Sequence, residues 1–109
     1  MQMDKQLFTR LSDACLDRVA KWLEPFDPDE LDYKTTDGVV TLEFADGTRY
    51  VLNRQAATSQ MWFAAGARAW HYDYDAAKDA WFDDRDHHAL LDNIASVVSK
   101  KLGRSVKLA

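Results

Sequence analysis

The chain has one cysteine, two prolines and four glycines, and only three of its 18 acidic residues are glutamate. The lone Cys15 excludes an internal disulfide and any site built from several thiolates, and it suits a reducing compartment. Four glycines, each placed where a turn or helix end is expected, leave no Gly-rich loop to cradle a phosphate. Three glutamates and no Glu-x-x-His pair leave no di-iron constellation of the bundle type. The serines sit in no nucleophile elbow, and Cys15 lies on an apolar stripe, where a cysteine is usually inert packing. No apolar run approaches the ~20 residues that span a bilayer. Asp4, Lys5 and Gln6 interrupt the apolar core that a secretion signal needs. A soluble cytoplasmic protein is expected, with no membrane partner. The 109 residues, 47% apolar and 29% charged, fit a single domain over 1–109 and exclude a disordered chain.

Charge is unevenly placed. Residues 1–48 carry 11 acids against 5 bases, whereas residues 49–109 carry 7 acids against 9 bases. Glu24, Asp27, Asp29, Glu30 and Asp32 occur within nine residues that hold no base. Such a patch repels nucleic-acid phosphate and attracts cations or a basic protein surface, so nucleic-acid binding is not expected.

Apolar residues at helical spacing (Phe8, Leu11, Cys15, Val19, Trp22) predict a first helix over 4–24, stopped by Pro25 and Pro28. Its other face carries Asp13, Asp17, Lys21 and Glu24, and Asp17 can pair with Lys21 at i,i+4. Short strands follow at Leu31–Thr36, Val39–Phe44, Thr48–Asn53, Gln60–Ala64, Arg68–Tyr74 and Ala80–Asp83. Asp37-Gly38 is a two-residue hairpin signal, since glycine accepts positive φ. Leu90, Leu91, Ile94, Val97, Val98 and Leu102 predict a last helix, with Asp86 as its N-cap and Gly103 as its stop. His87 and His88 would open that helix as neighbours pointing apart, a poor chelate. The tail residues Val106 and Leu108 suit packing. The expected fold is α+β: a two-layer sandwich with both helices on one face of a 5–6-stranded antiparallel sheet.

That arrangement leaves the second sheet face in water. Strand side chains alternate, so assigning Tyr50, Leu52, Met61, Phe63, Trp70, Tyr72 and Tyr74 to the core turns Asn53, Gln60, Trp62, His71 and Asp73 outward, with Arg54 and Gln55 at the rim. An indole ringed by amides and charges has the composition of an interface centre. A register shifted by one residue would instead bury Trp62.

The acidic ridge, comprising Asp13, Asp17, Glu24, Asp27, Asp29, Glu30 and Asp32, offers hard oxygen ligands. It lacks the dense loop and central glycine of an EF-hand. Two or three carboxylates at a time, completed by water, would bind a hard cation weakly and exchangeably. The alternative is a merely solvated face. Acids near a helix C-terminus oppose the macrodipole, a local conflict that favours a functional reason for them.

The sequence resembles the frataxin family, of the bacterial type, over essentially its whole length. The resemblance rests on the acidic first helix, Asp37-Gly38-Val39-Val40-Thr41-Leu42, Thr48-Arg49-Tyr50-Val51-Leu52-Asn53-Arg54-Gln55, Gln60-Met61-Trp62-Phe63 and His71-Tyr72-Asp73-Tyr74. It implies an iron-binding accessory protein that regulates iron–sulfur cluster assembly, with no catalytic residues. It also implies ferrous or ferric iron held weakly on the ridge residues Asp13, Asp17, Glu24, Asp27, Asp29, Glu30 and Asp32; other hard divalent cations fit the same oxygens. The implied partners are a cysteine desulfurase and an iron–sulfur scaffold protein. The ridge would meet a basic patch, and Asn53, Arg54, Gln55, Gln60 and Trp62 would meet the assembly machinery. A monomer is expected, with iron-dependent oligomers as an alternative. The chain departs from the resemblance at Ala20, Lys21 and Pro25, where relatives often carry acids. Lys21 places a positive charge inside the ridge, so the expected iron site centres on Glu24–Asp32. The competing readings are a ferroxidase or iron-storage oligomer and a metal-independent interaction module.

Overall fold

Asp4 caps the first helix, its carboxylate accepting the N–H groups of Gln6 and Leu7 at 2.7 and 3.3 Å. In a computed structural model that describes residues 3–108, this helix, α1, spans Lys5–Leu23 and ends just ahead of Pro25. Six strands follow: β1 (Leu31–Thr36), β2 (Val39–Phe44), β3 (Arg49–Gln55), β4 (Gln60–Ala65), β5 (Arg68–Asp75) and β6 (Ala80–Asp83). The chain closes with α2 (Leu90–Leu102). The strands pair in sequence order into one antiparallel sheet, so β1 and β6 are its edges. The loop expected at 55–59 is shorter: Gln55 belongs to β3, and Ala56–Thr58 form a single 3-10 turn.

Cross-strand register assigns the two faces. Leu31↔Phe44, Val40↔Leu52, Leu42↔Tyr50, Leu52↔Phe63 and Met61↔Tyr72 are directly opposed pairs, and all their members are buried. The helices cover this face together, α1 lying against β1–β3 and α2 against β6. Phe8, Cys15, Leu16, Val19 and Leu23 from α1 join Leu90, Ile94 and Val98 from α2 in the same hydrophobic cluster. The expected stripe of α1 is one position off in places: Leu16 and Leu23 are fully inside, while Leu11 and Trp22 pack at its margin. The expected α+β two-layer sandwich is the fold observed.

Two local expectations are corrected. Asp86 does not cap α2. The helix begins four residues later, with Ala89 at its N-cap position and no side-chain cap, because the Asp86 carboxylate is turned onto His88. His87 and His88 therefore precede α2 rather than open it. Gly103 does end the helix, in the left-handed region at φ 74°, with its N–H donating to the Ser99 carbonyl. The tail folds back: the Val106 N–H and carbonyl both bond the Ser99 hydroxyl, and the Trp22 indole N–H donates to the Lys107 carbonyl at 2.7 Å.

Adjacent residues of β4 test the division of faces. Phe63→Ala is expected to cost about 3–5 kcal/mol in chemical denaturation, the usual penalty for emptying a core aromatic site. Trp62→Ala, one position away, is expected to cost less than half as much.

Candidate functional site

The acidic segment divides into compensated and open parts. Asp17 bonds Lys21 at 3.1 Å, the i,i+4 pair read from the spacing. Glu30 bonds Arg104 of the returning tail at 2.6 Å. Asp13 forms an ion pair with Arg54, which also reaches Asp37 at 2.7 Å. Glu24, Asp27, Asp29 and Asp32 are exposed and enter no ion pair among the described residues. Asp27 instead accepts the Asp29 N–H at 2.9 Å, and Asp32 accepts the Tyr33 N–H at 2.8 Å.

The seven acids do not share one surface. Asp13, Asp17 and Glu24 line an open depression of about 600 Å³ between α1 and the β1–β2 hairpin, where Asp37 joins them. Asp37 had appeared in the sequence only as a turn residue. Asp32 alternates with the buried Leu31, so it lies on the sheet face away from the helices. Among the described residues, no three of these carboxylates come within 4.8 Å of one another. Open carboxylates at this spacing suit a loosely held, largely hydrated cation or a basic protein surface better than a closed coordination sphere.

Arg54 corrects the sequence reading. It had been assigned to the rim of the outward face, but it stands opposite the buried Met61, on the helix-facing side. Its side chain is only 18% exposed and ties α1 to the β1–β2 turn. Gly38 makes room for it: a Cβ there would meet the guanidinium Nε at 2.9 Å, and φ at this residue is +78°. The other outward assignments match the register, with Asn53↔Trp62, Trp62↔His71 and Gln55↔Gln60 as opposed pairs and Asp73 on the same side as His71.

The outward face is ordered by its own bonds. The Trp62 indole stacks on His71, with centroids 4.3 Å apart and planes 20° from parallel. Its N–H donates to the side-chain amide oxygen of Gln60 at 3.0 Å. The Gln60 amide in turn donates to Asp73 and Asp84 at 3.0 and 3.2 Å. The half-buried indole is thus clamped between an imidazole and a polar network, pre-organised as a contact centre. Asp84 was not singled out from sequence, because a residue just past a short edge strand carries little alternation signal.

Cys15 has no catalytic setting. Burial pushes its thiol up to about 12, against a smaller opposing effect of the Arg18 charge. The native state therefore keeps its proton while the unfolded thiol ionises near 9. The native advantage is full below pH 9 and falls as pH rises from there toward 12. Thiol labelling at pH 8 is expected to proceed only as fast as unfolding, while stability by denaturant titration declines above pH 9. Arg54→Met is expected to cost roughly 1 kcal/mol, because its carboxylate partners are largely exposed. A double-mutant cycle with Asp13→Asn is expected to return about 0.5–1 kcal/mol of coupling.

A family model described as a frataxin-like domain matches residues 1–104. The iron–sulfur cluster assembly protein CyaY of Thioalkalivibrio sulfidiphilus is 38% identical over 102 residues, covering 93% of this chain and 95% of that protein. Its namesake from Dechloromonas aromatica is 33% identical over 107 residues, covering 97% and 99%. Among solved structures, frataxin from Psychromonas ingrahamii superposes with a TM-score of 0.87 at 27% identity, covering 98% of this chain and 99% of that one. A trimeric frataxin from Saccharomyces cerevisiae, complexed with ferrous ion, gives 0.74 at 25% identity, covering 95% and 90%. The chain belongs to the frataxin-like family.

Proposed function

We propose that this protein is a non-enzymatic, iron-binding accessory factor of iron–sulfur cluster assembly in a bacterial cytoplasm. Relatives that match nearly the full chain carry the assembly role in their names. A yeast frataxin of the same fold has been solved with ferrous ion. The observation that carries the reading is the open carboxylates of Glu24, Asp27 and Asp29, beside acids that are already compensated by Lys21, Arg54 and Arg104.

Iron, as cargo, would sit weakly at Glu24, Asp27 and Asp29, with water filling most of its shell. Asp13, Asp17 and Glu30 would have to give up an ion pair before ligating, and Asp32 faces the other side of the sheet. The same negative charge would steer the protein toward a basic patch on a cysteine desulfurase. The outward face of Asn53, Gln55, Gln60, Trp62, His71 and Asp73 would meet the desulfurase–scaffold assembly through the clamped indole. Arg54 has no part in that contact, since its guanidinium is committed to Asp13 and Asp37.

Anaerobic NMR titration with Fe²⁺ is expected to broaden amide signals mainly over residues 24–32. Broadening spread evenly over the chain, or none, would reject the ridge as an iron site. In a desulfurase pull-down, Trp62→Ala and Asp27→Asn/Asp29→Asn are each expected to weaken capture several-fold. Capture unchanged by both would discard both docking surfaces.

A further inference from the structure

A second group of potential ligands lies at the opposite edge of the sheet, in the loop between β6 and α2. β6 ends on Asp83, which is only 3% exposed. One of its carboxylate oxygens takes the N–H groups of Arg85 and Asp86, both at 2.9 Å. The other accepts no hydrogen bond among the described residues. The loop closes on itself: the Asp83 N–H donates to the His88 carbonyl at 2.9 Å, and the His87 N–H donates to the Asp83 carbonyl at 3.1 Å. As a result one oxygen of Asp83, one oxygen of Asp86 and a ring nitrogen of His88 all lie within 4.8 Å of one another.

No lysine or arginine among the described residues forms an ion pair with Asp83 or Asp86; the cation facing Asp86 is His88 itself, and only when protonated. Backbone N–H groups answer the carboxylate charge here, two on Asp83 and one on Asp86, and no fixed cation joins them. Meanwhile the far side of the imidazole is held in place. His88 Nδ1 faces the Asp86 carboxylate, and Nε2 lies 2.6 Å from the hydroxyl of the fully buried Tyr72. That hydroxyl is fixed in turn by the Asn93 amide at 2.8 Å. Imidazoles that ligate metals are held in this way, with the second nitrogen oriented by an outer oxygen.

We propose that Asp83, Asp86 and His88 bind a divalent first-row transition ion through His88 Nδ1 and one oxygen from each carboxylate, with water completing the shell. An imidazole in the set favours zinc, cobalt or nickel over magnesium or calcium, which prefer oxygen alone. Ligation needs the imidazole proton on Nε2, from where it donates to the Tyr72 oxygen. Turning the Asn93 amide over then lets its oxygen accept the Tyr72 hydrogen, so the Tyr72 hydroxyl stays bonded on both sides. Tyr72 is fully buried and its hydroxyl meets Nε2, on the far side of the ring from the donor set, so it supports His88 rather than ligating. Donor atoms around a tetrahedral ion lie about 3.3–3.6 Å apart. Asp86 is exposed, and its carboxylate would turn from its bonds to the His88 N–H and ring to close that gap.

The site is independent of the acidic ridge, and the test separates them. Co²⁺ is titrated into the full chain at pH 7.5 and followed by visible absorption, with Zn²⁺ followed by calorimetry. One equivalent is expected to bind, and excess Mg²⁺ is expected not to compete. His88→Gln and Asp86→Asn are each expected to weaken Co²⁺ at least tenfold while circular dichroism stays unchanged. Glu24→Gln/Asp29→Asn is expected to leave it unaltered. Absence of Co²⁺ binding, affinity unchanged by both loop substitutions, or a loss that follows the ridge substitutions instead would overturn the proposal.

Discussion

Each strand of this sheet must satisfy packed hydrocarbon on one side and water on the other, and this constraint organises the rest of the molecule. Because side chains alternate strictly, a single register decides the destination of every residue between Leu31 and Asp83 at once. One set, from Leu31 through Leu42, Leu52, Phe63 and Tyr72, supplies the floor on which both helices rest. The complementary set cannot be buried by this fold and is free to carry other chemistry. Trp62 is the clearest beneficiary: its indole is too large to stand alone in water, so it is stacked on His71 and bonded to Gln60.

The two layers are joined at their margins by a few long cations. Arg54 reaches from β3 to α1 and to the β1–β2 turn; Lys101 reaches from α2 to Asp46 in the β2–β3 turn at 2.5 Å; Arg104 reaches from the tail to Glu30. Asp46 is held well below the usual carboxylate range, chiefly by its hydrogen bond from Lys101 and then by bonds from Thr48. Such pairs contribute modestly to stability, but their placement matters for charge. They neutralise part of an acid-rich half-chain and leave Glu24, Asp27, Asp29 and Asp32 as its open remainder among the described residues. The ridge, already interrupted by Lys21 in the sequence, is therefore graded further in space.

The hairpins, both helices and the outward position of Trp62 were legible because each rests on a local period: two for the strands, 3.6 for the helices. Arg54 was not. It sits at the end of the Arg49–Gln55 strand, where the chain of alternation runs past the last apolar residue, and a charged residue there looks like rim. Alternation from the buried Leu52 already turns it inward; only the tertiary structure supplies the carboxylates of Asp13 and Asp37 that receive its charge there. Asp86 failed as a helix cap for a similar reason. Its type is right for the role, but the loop from Asp83 to His88 turns its carboxylate toward His88 instead. Lys21 was read correctly because its partner Asp17 lies on the same helix.

Composition and periodicity by themselves determined the layer arrangement, the core, the two faces of the sheet and the location of the negative charge, since these follow from which residues avoid water and how regularly they recur. Tertiary structure decided which acids keep their charge unanswered, which basic residues are consumed as ties, and that Asp83, Asp86 and His88 meet against Tyr72. Those outcomes depend on distances between side chains from separate elements or around a closed loop. Ion pairs and ligand sets need contacts of a few ångströms, and between separate elements no spacing along the chain fixes that distance.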